Sequence, residues 1–428
     1  MATENPRVWF KSISLENVRS FGTKQKINFT DKAGNVARWN VILGDNGTGK
    51  TTVLKGLVIL AQNQQTVLET GVDFTELWRF NEESIGVKID GVLSKKNEDI
   101  QTGFIVNSGM KWGNGVKYDT GSTFRFTRKY EIEMDIFAYN AARRISSSAI
   151  TEKKPNYITN FFSENNDLIN AEEWLVQADY ISLKEPKFKH RFDTVLNVLK
   201  ELFSQEASDI YISTETGTPK VFFKTNYGDV RLHELSLGYK TLIAWMVDFA
   251  KGLLDRYPDS ENPLAEPAVC LVDEIDLHLH PKFQRNIIKF LTETFPNTQF
   301  IVTAHSPLIV VAAEEQPQDT NIILLKREGD QTVVVNDSVD VSKWSVDQIL
   351  NSDLFGHVSS RSEPLTELRT ERDTLLSKQA LTATQKARLD ELDTRIGFVP
   401  VGRDQAEIQA ETIIQQLADI LRSKQQSQ

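Results

Sequence analysis

The chain has 428 residues, 40% of them hydrophobic and 25% charged, with a formal net charge of −10. That length and make-up suit an ordinary globular protein of two to three domains. The acidity opposes nucleic-acid backbone binding over the whole surface and leaves it open only at a local basic patch. The single cysteine, Cys270, excludes an internal disulfide and a multi-cysteine zinc cluster. The best apolar stretch, residues 241–254, is interrupted by Asp248 and Lys251 and falls short of the roughly 18 to 20 residues that span a bilayer. Residues 1–6 show neither a basic nor an apolar part of a secretion signal, so a soluble, cytoplasmic chain without membrane contact is expected.

Residues 8–18 and 26–30 alternate apolar and polar side chains in the manner of half-buried strands. Residues 39–43 form a short apolar strand feeding Gly44-Asp45-Asn46-Gly47-Thr48-Gly49-Lys50-Thr51, and residues 52–61 carry helical spacing. Strand, glycine loop and helix are the context a phosphate-binding loop requires. In such a loop, backbone N–H groups point at phosphate oxygens, aided by the positive end of the following helix. Gly44, Asp45, Asn46, Gly47, Thr48, Gly49, Lys50, Thr51 and Thr52 are therefore candidate residues for ATP. Lys50 would reach the β and γ phosphates, and Thr51 would place its hydroxyl on Mg2+.

From about residue 71 to 134, short strands at 85–93, 103–106 and 123–132 separated by Gly, Asn and Ser predict an antiparallel β lobe. From about 146 to 208 the chain reads as a helical insertion, with amphipathic segments at 171–175 and 192–203. Lys184, Lys187, Lys189, His190 and Arg191, with Phe188 among them, form the best basic patch, read either as a nucleic-acid contact or as a solvated helix start. Arg143, just past a strand ending at Tyr139, reads as a phosphate or interface contact or as a member of an ion pair. Strands at 210–213 and 220–225 lead into Leu235-Ser236-Leu237-Gly238-Tyr239, where Ser236 by itself reads as a helix N-cap.

Residues 268–272 are an apolar strand ending in Asp273 and Glu274, which places both carboxylates at the carboxyl edge where open α/β sheets bind ligands. Asp273 is the candidate Mg2+ holder and Glu274 the candidate base for the attacking water. His305, at the end of the buried-type strand 300–304, is the candidate γ-phosphate sensor. Residues 321–326 and 331–335 predict a hairpin closing the sheet. The domains expected are a head over 1–340 and a helical region over 341–428. The latter holds helices at 363–379, 382–396 and 404–421, with Thr382 and Gln385 spaced as a capping box, and it serves as a cap or a partner-binding arm.

Over about residues 7–335 these motifs resemble the ABC-type ATPases of the RecF-like and OLD-like branch, which also includes SMC-type heads. The likeness rests on Asn17-Val18-Arg19-Ser20-Phe21, the glycine loop, residues 235–239, residues 272–281 with His278, His280 and Pro281, and Thr303-Ala304-His305-Ser306-Pro307. It implies an α/β, ABC-type P-loop NTPase head that hydrolyses ATP with Mg2+. Glu274 and His305 would be catalytic, with Thr51 and Asp273 at the metal. Ser236 and Gly238 would contact nucleotide held by a second copy, which implies a homodimer or higher homo-oligomer. Leu237 stands where a glycine or polar residue is usual, and no glutamine is assignable as the metal-contacting loop residue. Size and the tail segment 344–350 are similar to the Septu (PtuA-type) ATPases of antiphage defence, with the PARIS ATPases as the competing likeness. The Septu likeness implies a separate HNH-type nuclease effector; the remaining tail offers no strand-flanked acidic cluster for a nuclease of its own. A RecF- or SMC-like DNA clamp and a nucleotide-bound scaffold with little hydrolysis are the alternatives.

Overall fold

The apolar runs ending at Gly44, Val272 and Thr303 are rich in β-branched residues and too short to be helices, and they become neighbouring parallel strands buried on both faces. The computed structural model describes residues 7–62, 77, 79, 86–95, 98–107, 110–113, 116–119, 123–126, 134–143, 145, 161–162, 168–215, 217–315, 319–336, 341, 343–359, 362–378, 381–397 and 405–426. Parts of the expected β lobe and helical insertion, including 71–76, 127–133 and 146–160, lie outside the described residues. The chain divides into two compact units, Met1–Ile349 and Leu350–Gln428.

Among the described residues, the first unit holds three sheets and a ribbon. The strands in chain order are β1 (Val8–Glu16), β2 (Gln25–Asn28), β3 (Trp39–Gly44), β4 (Gly86–Lys95), β5 (Glu98–Asn107), β6 (Met110–Gly113), β7 (Val116–Asp119) and β8 (Thr123–Phe126). Then follow β9 (Ile136–Tyr139), β10 (Ala207–Ser213), β11 (Lys220–Thr225), β12 (Gly228–Arg231), β13 (Ala268–Val272), β14 (Thr298–Thr303), β15 (Thr320–Glu328) and β16 (Gln331–Val335). The central sheet has the order β16-β15-β3-β14-β13-β9, parallel throughout except for the β15–β16 hairpin. The second sheet, β2-β1-β4-β5-β8, is antiparallel, β10-β11-β12 is an antiparallel meander, and β6 and β7 form a ribbon.

Helix α1 (Lys50–Ala61) fills the space between the two larger sheets, with Val53, Leu54, Leu57, Val58 and Leu60 fully buried among Ile13, Leu15, Ile89, Ile42 and Ile301. Gln299 of β14 keys the sheets together: its amide nitrogen donates to the carbonyls of Phe10 (2.8 Å) and Ala37 (3.1 Å), and its oxygen accepts from Phe10 N at 2.8 Å. The expected insertion contributes α2 (Ala171–Lys184) and α3 (Lys189–Leu202), α2 being capped by the Asn170 side chain.

Helices α4 (Leu237–Arg256), α5 (Pro281–Thr294) and α6 (Pro307–Glu314) complete the head. Aromatic rings weld α4 and α5 to the sheet: Phe249 meets Phe137 at 4.9 Å and Phe295 at 4.6 Å, and Trp39 stacks on Phe300 at 4.4 Å. On α4, Asp248 is buried and accepts a 2.8 Å hydrogen bond from the hydroxyl of Tyr139, the last residue of β9. Burial raises the Asp248 carboxyl to about 6, against the lowering effect of that bond. Burial likewise raises the Cys270 thiol well above its usual value, in keeping with an inert core residue. Among the described residues no helix is long and apolar enough to cross a membrane.

A short helix α7 (Val346–Leu350) reaches the boundary of the second unit, where α8 (Glu363–Leu376) and α9 (Ala383–Ile396) form a hairpin. Leu375 and Leu392 are buried, and Arg388 grips both carboxylate oxygens of Glu371 at 2.8 Å. The expected capping box is present, with Thr382 accepting from Gln385 N and Gln385 accepting from Thr382 N. Helix α10 (Gln405–Gln426) ends the described chain.

Candidate functional site at the carboxyl edge of the central sheet

Strand β3 must hand the chain to α1 through a tight loop, which the glycines permit. Gly49 takes φ 93, and a Cβ there would lie 2.5 Å from Ser20 Oγ and 2.7 Å from the Phe21 ring. The loop is braced from two hairpins, because the Thr48 carbonyl accepts from Ser20 Oγ (3.2 Å) and from Thr332 Oγ1 (3.0 Å). Thr48 Oγ1 donates to Asp45 O at 2.8 Å, while Asp45, Asn46 and Gly47 are exposed. Lys50, only 6% exposed, folds over the loop and donates to the carbonyls of Gly44 (2.7 Å) and Asp45 (3.1 Å). Burial lowers its pKa, and Asp273, Glu274, Asp45 and Asp276 pull it back up. The amides opening α1 have no earlier carbonyl in the helix to bond and carry the helix's positive end. Thr52 is buried in α1.

Across the sheet, β13 delivers Asp273, 3% exposed, opposite the loop. Thr51 Oγ1 donates to Asp273 Oδ2 at 2.7 Å, and Thr303 Oγ1 donates to Asp273 Oδ1 at 2.6 Å. The next residue, Glu274, has φ 50, and its N–H donates to the same Thr303 oxygen at 2.6 Å. One threonine at the end of β14 therefore holds the carboxylate of Asp273 and the backbone turn of Glu274. Glu274 Oε1 lies 3.9 Å from His305 Nε2, and the His305 N–H donates to the Asp276 carboxylate at 3.1 and 3.2 Å. Gln284 of α5 donates to the carbonyls of Asp276 (3.3 Å) and Leu279 (2.9 Å) and accepts from Ser306 Oγ at 2.7 Å.

The fold thus brings Lys50, Thr51, Asp273, Glu274 and His305 to one edge. Ser236 and Leu237 are exposed, the latter 59%, whereas Gly238 is buried. A Cβ on Gly238 would lie 2.1 Å from the carbonyl oxygen of His278, so α4 can approach the segment after Glu274 only because this residue has no side chain. Ser236 caps α4 through a long 3.5 Å bond from Tyr239 N, and no hydrogen bond joins it to the glycine loop within the described chain. Sequence reading did not single out Thr303, Asp276 and Gln284 individually, although Thr303 opens the motif that carries His305. Arg143, read as a phosphate or interface contact or as a member of an ion pair, is 4% exposed and donates from Nη2 to the Glu274 carbonyl at 2.6 Å; among the described residues it makes no ion pair. In the basic patch, Lys189 pairs with Asp193 at 3.6 Å, Arg191 pairs with Asp255, and Lys184 lies over the Tyr180 ring.

The residues suit a Mg2+–nucleotide complex. Among the described residues no three His, Cys, Asp or Glu side chains form a self-sufficient metal site. A hydroxyl beside one carboxylate, facing a phosphate-type loop, is the sparse oxygen set that Mg2+ accepts when phosphates and waters complete its shell.

Such a loop, strand-end acid pair and strand order define the class: this is the head of an ABC-type P-loop ATPase. The family described as AAA domain, putative AbiEii toxin, Type IV TA system matches residues 39–312, and the chain belongs to that family. The chain is similar to the Septu protein PtuA of Bacillus mycoides, 26% identical over 91% of this chain and 50% of that one, so it spans half of that relative's length. It is also similar to the Retron Vc95 probable ATPase of Vibrio cholerae, 24% identical over 73% of each chain. Among solved structures, the SMC head domain from Thermotoga maritima aligns with 77% of this chain and 100% of its own at 16% identity, with a TM-score of 0.44.

Proposed function

We propose that the chain binds and hydrolyses ATP with Mg2+ as the nucleotide-driven component of an antiphage defence complex. The observation that carries the reading is the convergence of Thr51, Asp273, Glu274, Thr303 and His305 beside the Lys50 loop. Lys50 and the first amides of α1 bind and orient the phosphates. Thr51 and Asp273 would hold Mg2+, which would supply neutralisation of the charge on the phosphates. Glu274 takes the proton of the attacking water at its carboxylate, and His305 marks the γ-phosphate end of the site.

Ser236 and Leu237 face outward at the start of α4, where the amides of the first turn carry positive partial charge. That exposure supports a composite site completed by a second copy, hence a homodimer or higher oligomer. The names of the similar proteins, a Septu protein and a retron ATPase, support a role in antiphage defence, and the Septu likeness implies control of a separate HNH-type nuclease. The test is a pair of variants in the full chain. Lys50→Ala should abolish binding of a fluorescent ATP analogue, and Glu274→Gln should retain binding and accumulate an ATP-bound dimer in light scattering. Retained binding in the first variant, or unchanged turnover in the second, refutes the site assignment.

A further inference from the structure

Arg143 is a buried cation whose hydrogen bonds do not account for its presence. Among the described residues its guanidinium makes a single bond, from Nη2 to the Glu274 carbonyl, and its buried Nε has no partner. Burying a guanidinium this way costs several kcal/mol unless nearby charge compensates it. The compensation comes from Asp273, Asp276 and Glu274, whose fields act on it together. Burial brings its pKa down to about 10, which leaves it charged at neutral pH.

Its backbone is constrained as well, with φ 30, and its N–H is held by Asn140 Oδ1 at 3.1 Å. Strand β9 positions this turn: Tyr139 O accepts from Asp273 N at 2.8 Å, so the segment carrying Arg143 runs directly beside the acid pair. The residue it grips, Glu274, is itself in the left-handed region at φ 50, where a side chain with Cβ is held at a cost. Two side chains anchor that turn, Thr303 on the N–H side and Arg143 on the carbonyl side, beside the backbone bonds from Leu277 N to the same Glu274 carbonyl (2.9 Å) and from Ile275 N to the Thr303 carbonyl (2.9 Å).

We propose that Arg143 is a positioning residue for ATP hydrolysis, locking the Glu274 turn from its carbonyl side and balancing the charge of Asp273, Glu274 and Asp276 around the metal site. This rests on the ATPase reading above. Because Arg143 acts through Glu274, its loss lowers the rate of the chemical step and leaves substrate capture to Lys50 and the loop. Because it places a positive charge beside Asp273, its loss also leaves the acids more negative and tightens Mg2+ binding.

The experiment uses the full chain as R143Q, R143K, E274Q and the R143Q/E274Q pair, with thermal melts confirming folding. R143Q should lose at least tenfold in kcat with KM for ATP within threefold of the parent, and R143K should lie between the two. R143Q/E274Q should turn over within twofold of E274Q alone. The Mg2+ concentration giving half-maximal binding of a fluorescent ATP analogue should fall at least threefold in R143Q and stay at the parental value in R143K. A kcat within twofold of the parent in R143Q, or losses that multiply in the double variant, overturns the proposal. If R143Q does not fold, R143K carries the test, since lysine keeps the charge and loses the planar donor: kcat should fall at least threefold at constant KM, and parental kcat overturns the proposal. A parent chain that binds ATP and never hydrolyses it sinks the ATPase reading instead; the Mg2+ titration then decides, and an unchanged half-saturation in R143Q overturns the charge balance.

Discussion

Replacing Asp248 with asparagine removes a buried ionisable group and keeps an acceptor for the Tyr139 hydroxyl, whose bond ties α4 to the end of β9. The carboxyl is raised from 3.8 to about 6, chiefly by burial. A raised carboxyl pKa means the folded state holds its proton more tightly than the unfolded chain. The associated stability is therefore complete below pH 4 and is lost as pH climbs through 6. The full loss is about 3 kcal/mol, from roughly two pKa units at 1.36 kcal/mol each, and about 1.4 kcal/mol of it falls between pH 5 and 8. Urea unfolding followed by tryptophan fluorescence suits the site, because Trp245 lies 5.7 Å from Tyr139. Relative to the parent, Asp248→Asn should gain about 1.4 kcal/mol between pH 5 and pH 8. Parallel stability curves for the two proteins across that range would refute the reasoning.

Three further outcomes follow from particular contacts. Thr303→Val deletes the donor to Asp273 and leaves the Glu274 N–H unpaired, a loss of about 2 to 4 kcal/mol in holding the acid pair; kcat should drop at least tenfold with nucleotide affinity little changed, while Thr303→Ser keeps activity. Gly238→Ala forces a methyl against the His278 carbonyl, and overpacking of this kind costs about 1 to 3 kcal/mol, so a lowered melting temperature together with slowed turnover is expected. Thr382→Ala removes a helix cap worth about 1 kcal/mol, and hydrogen exchange should quicken over the first turn of α9 without altering ATP turnover.

Legibility followed the distance over which a contact forms. The glycine loop, the strand-end acids and the capping box at Thr382 are set by neighbours in the chain, and each was readable from residue order. The partners of the acids were not, because Thr51 meets Asp273 across 222 residues and Arg143 meets Glu274 across 131. Thr303 falls inside an apolar strand of the sequence, and the parallel pairing of β13 with β14 brings it to both acids. The charge on Arg143 suggests a phosphate, an interface or an ion pair, and the bond it makes to the Glu274 backbone carbonyl was not foreseeable from residue order. For Gly238 the resemblance implies a nucleotide contact, and its environment adds a close backbone approach to His278 that no spacing argument could reveal.

The Gln299 amide has a wider consequence. Both of its N–H bonds and its acceptor are committed to backbone groups of β1 and of the segment before β3. A leucine of similar bulk would occupy the space while orphaning the Phe10 amide, so this polar group specifies how one layer is clamped on the other. With that clamp closed, the two layers are joined through the backbone as well as through side-chain packing.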